Sequence, residues 1–323
     1  MAHAIQVQQP GGPEALQWAA VAIGEPGSGQ VRLRQTAVGL NFIDVYHRTG
    51  LYPQSGPFIP GVEGAGVVQA VGHGVDWLKI GDRVAYAGPI GAYAEERLID
   101  AARLVKLPDE ISDEQAAAML LKGMTAQMLL RRVHAVQPGD SILVHAAAGG
   151  VGLILCQWAA ALGATVIGTV STDAKAELAR AHGCAHPIVT SRQDFVAEVE
   201  RITGGSKLPV VYDSVGRDTF MGSLDCLRPR GLMVSFGNAS GPVEPISPLL
   251  LSQKGSLFLT RPTLFHYTGS RTELEATAAE LFEMVSSGKI KVEIKQRFAL
   301  KDAGDAHRAL EARETTGSTV LVV

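Results

Sequence analysis

The segment Ala146–Gly152, A-A-A-G-G-V-G, constrains this chain more than any other stretch. It joins a strand-like run, Ser141 to His145, to an apolar helical run beginning at Val151. Laid on the dinucleotide-binding spacing G-x-G-x-x-G, its positions are Ala147, Gly149 and Gly152, with a small alanine in the first glycine's place. Without side chains at Gly149 and Gly150 the backbone can approach a pyrophosphate. Gly152 lets the helix pack close on the strand, and the helix N-terminus offers unpaired N–H groups and the positive end of its dipole.

The surroundings repeat that strand-turn-helix unit. Strand-like runs (Ser141 to Ala146, Thr165 to Val170, Val210 to Val215, Leu232 to Phe236) alternate with helix-like runs (Val151 to Leu162, Asp173 to His182, Asp194 to Thr203, Thr219 to Leu227). This alternation predicts an α/β fold with a parallel sheet covered on both faces. Gly163, Gly183 and Gly204-Gly205 fall where left-handed helix caps are needed. Residues 1 to about 120 have another texture, rich in Gly, Pro and short runs such as Gln30 to Thr36 and Gly64 to Val71, and read as β-rich. Ser112 to Gln115 has the spacing of a capping box and opens a helix. From Arg271 an amphipathic run to Ser287, a short strand near Val292, a helix over Asp302 to Arg313 and a strand over Thr319 to Val323 are expected.

The tip of the second strand carries information about the dinucleotide. An NAD-preferring site places Asp or Glu there to accept the ribose hydroxyls. Here Ser171 stands at the tip and Lys175 one helical turn later, a hydroxyl donor and a point charge suited to a 2′-phosphate, so NADPH is expected over NADH. Asp173, between them, reads as a helix cap or a solvent-facing acid.

Composition removes other classes. A formal charge of −3 leaves no basic footprint for nucleic acid or an anionic membrane. The longest apolar stretch, around Val151 to Leu162, is too short to span a bilayer. Three scattered cysteines and no cationic apolar leader predict a reducing cytoplasm.

Taken together, the motifs V-G-L-N-F-I-D-V-Y-H-R-T-G-L-Y (Val38 to Tyr52), P-G-V-E-G-A-G-V-V (Pro60 to Val68), G-D-R-V (Gly81 to Val84), L-K-G-M-T-A (Leu121 to Ala126), H-A-A-A-G-G-V-G (His145 to Gly152), V-Y-D-S-V-G (Val211 to Gly216) and V-S-F-G-N (Val234 to Asn238) span the chain. It resembles the zinc-independent quinone oxidoreductases of the medium-chain dehydrogenase/reductase superfamily, including the zeta-crystallin type. The resemblance implies a GroES-like β-rich catalytic domain over 1–120, completed by 262–323, a Rossmann domain with a doubly wound parallel sheet over 121–261, and a homodimer. Zinc-containing relatives use a Cys and a Gly-His-Glu triplet; Asn41 and Val62 stand in those Cys and His places, so no metal is expected. The alternating His182-Gly183-Cys184-Ala185-His186 is a decoy if Gly183 caps a helix.

By the same resemblance, Asn41, Tyr46 and Tyr52 are the catalytic-cleft residues, and Phe42, Ile43 and Asp44 touch the cofactor through the backbone. Thr125, Gly149, Gly150, Val151, Ser171, Lys175, Ser214, Val215, Phe236, Gly237, Asn238 and Arg313 match the cofactor-contacting segments. Gln127-Met128 and Thr190 depart from the aromatics many relatives carry, which puts tight cofactor binding in question. The expected reaction is transfer of hydride or single electrons from NADPH to a quinone or related electron-poor acceptor; the zeta-crystallin likeness implies one-electron delivery with semiquinone release. A quinone reduced to its anion can take its proton from solvent, so no general acid is demanded. The alternatives are reduction of activated C=C bonds in enals or enones, with Tyr46 or Tyr52 as proton donor, and an NADPH-holding crystallin-like or RNA-binding protein with little turnover.

Overall fold

A computed structural model describes residues 1–323. The chain forms two compact units, one of residues 1–124, 268–286 and 292–323, the other of residues 125–267 and 287–291.

The second unit is built on a six-stranded, wholly parallel sheet. From one edge to the other run Cys184–Val189, Thr165–Val170, Ser141–Val144, Leu208–Asp213, Leu227–Ser235 and Phe258–Thr260. Numbered within the sheet this is the order 3-2-1-4-5-6, doubly wound, with its direction reversing between Ser141–Val144 and Leu208–Asp213. Val166, Ile167, Val210 and Val211 are fully buried, as strands covered on both faces require. Leu143, Ile167, Ile188, Val211, Phe220 and Met233 share one core.

The first unit holds a seven-stranded, mostly antiparallel sheet centred on Gln30–Leu40. That strand takes Glu63–Val71 and Glu96–Asp100 from the early chain and Ser318–Val322 from the late chain, with Val320 opposite Gly39. A GroES-like β-rich unit thus draws on residues almost 300 positions apart, and its core joins Ile5, Leu33, Tyr86 and Tyr93 to Leu300, Ala306 and Leu321. The expected capping box is present: Ser112 N–H donates to Gln115 Oε1 at 3.1 Å and Gln115 N–H to Ser112 Oγ at 3.2 Å.

Several boundaries move for identifiable reasons. The first parallel strand stops at Val144 and Ala146 takes a left-handed φ of 52°. The strand expected over Val210 to Val215 ends at Asp213, whose carboxylate accepts from Val215 and Gly216 N–H at 2.7 and 3.0 Å and turns the chain. The strand expected near Val292 runs over Ile294–Ala299, and the last helix ends at Glu311, leaving Arg313 beyond it at φ 60°. A helix over Phe42–Thr49 interrupts the β-rich stretch. No helix is long and apolar enough to cross a membrane.

Candidate functional site

In a parallel sheet every strand delivers its following loop to the same edge, which gathers the second unit's candidate residues. Gly149, Gly150 and Val151 follow the first strand of the βαβ series, Ser171 and Lys175 the second, Ser214 and Val215 the fourth, Phe236, Gly237 and Asn238 the fifth. Thr125 lies on the helix Asp113–Gln127.

Two glycines at this edge are fixed by close approach of other backbone. A Cβ on Gly152 would stand 2.2 Å from the Ala146 carbonyl oxygen and 2.8 Å from Ala147, and one on Gly237 would stand 2.3 Å from the Ser214 carbonyl oxygen. At Gly149 the nearest atom, the Ala146 oxygen, would be 3.3 Å away. The helix Gly150–Ala161 opens with no side-chain cap, so its first N–H groups keep their capacity to donate. A backbone cradle with small residues on its walls and an uncapped helix start suits a pyrophosphate.

At the second strand's tip the cap is Thr172, whose Oγ1 accepts from Lys175 N–H at 3.3 Å. Asp173, read from sequence as a helix cap or a solvent-facing acid, is the latter, exposed and ion-paired with Arg192, while the preceding threonine satisfies the helix end. Thr190 turns its hydroxyl to the Val170 carbonyl at 3.2 Å, and Met128 is buried. His182 lies at the end of its helix, with Nδ1 2.8 Å from the Leu178 carbonyl, and Gly183 at φ 88° breaks the alternation that would have aligned it with Cys184 and His186.

In the first unit, Asn41, Phe42, Ile43, Asp44 and Tyr46 come together on the short helix that sequence patterning did not reveal. Asn41 is its N-cap, and Gly50 closes it at φ 80°. Phe42 and Tyr46 have ring centroids 6.3 Å apart, and Tyr46 meets Tyr52 edge-on at 5.2 Å. A cap residue with an acid three positions later, Asn41 and Asp44, was the signal available for this helix.

Two buried networks hold that helix. In one, Glu63, fully buried, accepts from Lys122 Nζ at 2.7 Å, Asn41 Nδ2 at 2.8 Å and Leu121 N–H at 2.7 Å. The carboxylate next to the positions where zinc-containing relatives carry their ligands is thus engaged by an ammonium, an amide and a backbone N–H. No group of three or more His, Cys, Asp and Glu side chains is placed to hold a metal ion.

In the other, Asp44 is completely buried and turned inward. Its Oδ2 accepts from Asn41 N–H at 2.9 Å and Tyr93 Oη at 3.0 Å. Tyr93 Oη also meets His307 Nε2 at 3.0 Å, and His307 Nδ1 faces Arg48 Nη1 at 3.2 Å. Arginine can only donate, so His307 Nδ1 accepts and Nε2 carries the hydrogen, giving a donor chain that runs Arg48, His307, Tyr93, Asp44. Burial pushes the Asp44 carboxyl up to about 7 against the hydrogen bonds from Asn41 and Tyr93. Burial, helped by the Arg48 charge, holds His307 down to about 3. Arg48 closes the network with a bidentate pair to Glu311, both bonds 2.8 Å. Asp44 therefore acts by holding the Asn41 end of the helix.

Sequence reasoning passed over Glu63 and Lys122 as site residues, along with Tyr93, His307 and Arg261. The last donates from Nη1 to the Gly237 carbonyl at 3.0 Å and so holds a candidate cofactor loop.

A glycine turn at the switch point of a doubly wound sheet, on a chain whose other unit is a GroES-like β-sheet, defines a dinucleotide-dependent oxidoreductase of the medium-chain class. Two family models match: "Alcohol dehydrogenase GroES-like domain" over residues 27–109 and "Zinc-binding dehydrogenase" over residues 150–286. A quinone oxidoreductase of Pseudomonas aeruginosa is 55% identical, with all of both chains covered. A 2-haloacrylate reductase of a Burkholderia species is 48% identical, covering all of this chain and 99% of that one. The crystal structure of Escherichia coli quinone oxidoreductase complexed with NADPH superposes with a TM-score of 0.98 at 49% identity, covering both chains completely. The chain belongs to the zinc-independent quinone oxidoreductase family of the medium-chain dehydrogenases/reductases.

Proposed function

We propose that this protein reduces quinones with NADPH. The observation that carries the reading is the assembly of a pyrophosphate cradle and a Ser171–Lys175 tip on one edge of the parallel sheet, in a chain about half identical over its full length to quinone oxidoreductases. The N–H groups opening the Gly150–Ala161 helix receive the pyrophosphate, and Ser171 and Lys175 receive the 2′-phosphate, with Arg313 as a further cation for the adenosine end. Thr125, Ser214, Val215, Phe236, Gly237 and Asn238 line the rest of the dinucleotide path. When bound, NADPH supplies the hydride equivalent; the protein supplies orientation and exclusion of water.

Asn41, Tyr46 and Tyr52 orient the acceptor. Asn41 Nδ2 donates to Glu63, which fixes the amide among the cleft residues, while Tyr46 and Tyr52, whose rings meet edge-on, bring aromatic surface and phenol groups suited to hydrogen-bonding quinone oxygens.

A second reading is reduction of an activated C=C bond, favoured by the likeness to 2-haloacrylate reductase. It requires a proton for the substrate carbon, for which Tyr46 and Tyr52 are the candidates. NADPH oxidation followed by absorbance with an ortho-quinone, a para-quinone, an enal and 2-chloroacrylate, each repeated with NADH, separates the two. Turnover with quinones and not alkenes supports the first reading, turnover confined to the alkenes replaces it with the second, and turnover with none rejects both.

The protein is further proposed to act in the cytoplasm, where its three buried free cysteines stay reduced, and to pair as a homodimer. The sheet ends in the strand Phe258–Thr260, unpaired along one side, with Phe258 62% and Leu259 39% exposed. Such an edge needs a cover, and a second copy provides one across a twofold axis. A monomeric mass by light scattering would contradict this.

A further inference from the structure

Arg192 lies in the short loop that follows the strand Cys184–Val189. That strand runs parallel to Thr165–Val170 with Val189 opposite Val170, and Thr190 N–H extends the pairing to the Val170 carbonyl at 2.9 Å. The loop is therefore held beside Ser171. Its own turn is also fixed, since Arg192 N–H and Gln193 N–H both donate to the Val189 carbonyl, at 3.1 and 3.0 Å, and Gln193 Oε1 accepts from Val189 N–H at 2.9 Å. From this turn the Arg192 guanidinium reaches Asp173, in the first turn of the neighbouring helix, two residues past Ser171 and two before Lys175.

Both partners of this pair are well exposed, and an exposed ion pair contributes little to stability. Its electrostatic effect on the tip is larger. With Lys175 alone the cation and Asp173 cancel; with Arg192 the tip carries one net positive charge. A phosphate monoester carries about −1.5 to −2 charge near neutral pH and would be opposed by a bare Asp173. A guanidinium has five N–H donors, so contact with one carboxylate oxygen leaves donors for phosphate oxygens.

We propose that Arg192 is a specificity-determining residue of this enzyme: it neutralises Asp173 and supplies, beside Lys175, the second cation for the 2′-phosphate of NADPH. The proposal rests on the assignment of Ser171 and Lys175 to that phosphate. It also accounts for an acidic residue at the tip of a phosphate-binding strand, because the Arg192 guanidinium offsets the Asp173 charge.

The test is calorimetric binding of NADP+ and NAD+ to the wild-type protein and to Arg192→Ala, Asp173→Asn and Lys175→Ala. Arg192→Ala is expected to weaken NADP+ by about tenfold and NAD+ by less than about twofold, a loss of the size a charge-assisted contact gives. Asp173→Asn is expected to strengthen NADP+, because a negative charge is removed while the guanidinium stays. If Lys175→Ala lowers the NADP+ to NAD+ preference and Arg192→Ala does not, Arg192 is a surface partner of Asp173 and the inference fails alone. A loss of NADP+ binding in Asp173→Asn as large as in Arg192→Ala would also overturn it, since the pair would then merely shape the loop. If neither Lys175→Ala nor Arg192→Ala changes the preference, the 2′-phosphate assignment itself fails, and this proposal with it.

Discussion

The two units solve the problem of placing polar groups in opposite ways. In the parallel-sheet unit the candidate edge is built mainly of backbone, with uncapped helix N–H groups, a left-handed Ala146 and glycines against carbonyls, beside the exposed side-chain pair of Arg192 and Asp173. In the GroES-like unit the helix that carries Asn41 is held from inside, by buried polar and charged groups at Glu63, Lys122, Asp44 and Arg48. Water competes for the first set of groups and is absent around the second. The first can therefore bind and release a charged ligand, whereas the second fixes a side-chain geometry and is costly to disturb.

The sharpest way to break this comparison is to remove one partner from each kind of ion pair. Glu63→Ala strands the Lys122 ammonium, which is only 5% exposed, and should cost about 3–5 kcal/mol of unfolding free energy. Asp173→Ala on the surface should cost less than about 1 kcal/mol. Urea titrations of both variants check this, and similar losses would mean that burial is not what separates the two regions.

A smaller effect is expected from the glycines. Gly152→Ala forces Cβ onto the Ala146 carbonyl and should lower stability by about 2 kcal/mol and weaken NADPH at least tenfold. Gly149→Ala, with 3.3 Å to its nearest neighbour, should leave stability within about 1 kcal/mol. Equal melting temperatures for the two variants would contradict the close-packing role of Gly152.

In the wild-type protein the smallest predicted effect is the pH dependence contributed by the buried network. An Asp44 carboxyl raised to about 7 keeps its proton in the fold while the unfolded chain loses it above about 4, so its contribution falls as pH rises through that window. A His307 held down to about 3 stays neutral in the fold while the unfolded chain gains a proton below about 6.5, so its contribution falls as pH drops. Between about pH 4 and 6.5 the folded network and the unfolded chain each hold one proton, and the two slopes cancel. The wild-type network should thus add almost no pH dependence to unfolding there. Asp44→Asn should unmask His307, and stability should then climb with pH across the window at a slope approaching one proton. A slope unchanged from wild type would show that the two groups do not titrate as described.

The same division explains which parts could be read from sequence. The glycine turn between strand and helix, the strand tip followed by the helix of Lys175, and the Ser112–Gln115 cap depend on residues within a few positions of one another, and local pattern is enough to find these elements. Tyr93 and Asp44 are 49 positions apart, and Arg48 and His307 are 259 apart; no periodicity links such partners. Asn41 and Tyr46 were recognisable through family likeness, yet the helix that presents them was hidden by its eight-residue length and the β-rich texture around it. The Arg192–Asp173 pair was not legible because it depends on two loops meeting at adjacent strand ends; of the two readings of Asp173, the solvent-facing acid agrees with its exposure and the cap does not, since Thr172 takes that place.

The pairing of Val320 with Gly39 bears on the order in which the chain acquires structure during synthesis. The six-stranded sheet needs nothing beyond Thr260, so its hydrogen bonds can form while the remainder is still being translated. The seven-stranded sheet must wait for residues 318–322, although its central strand emerges from the ribosome among the first forty residues. Nascent chains would thus hold the six-stranded sheet formed while the seven-stranded sheet is incomplete, with the flank of Gln30–Leu40 open until synthesis passes that last strand.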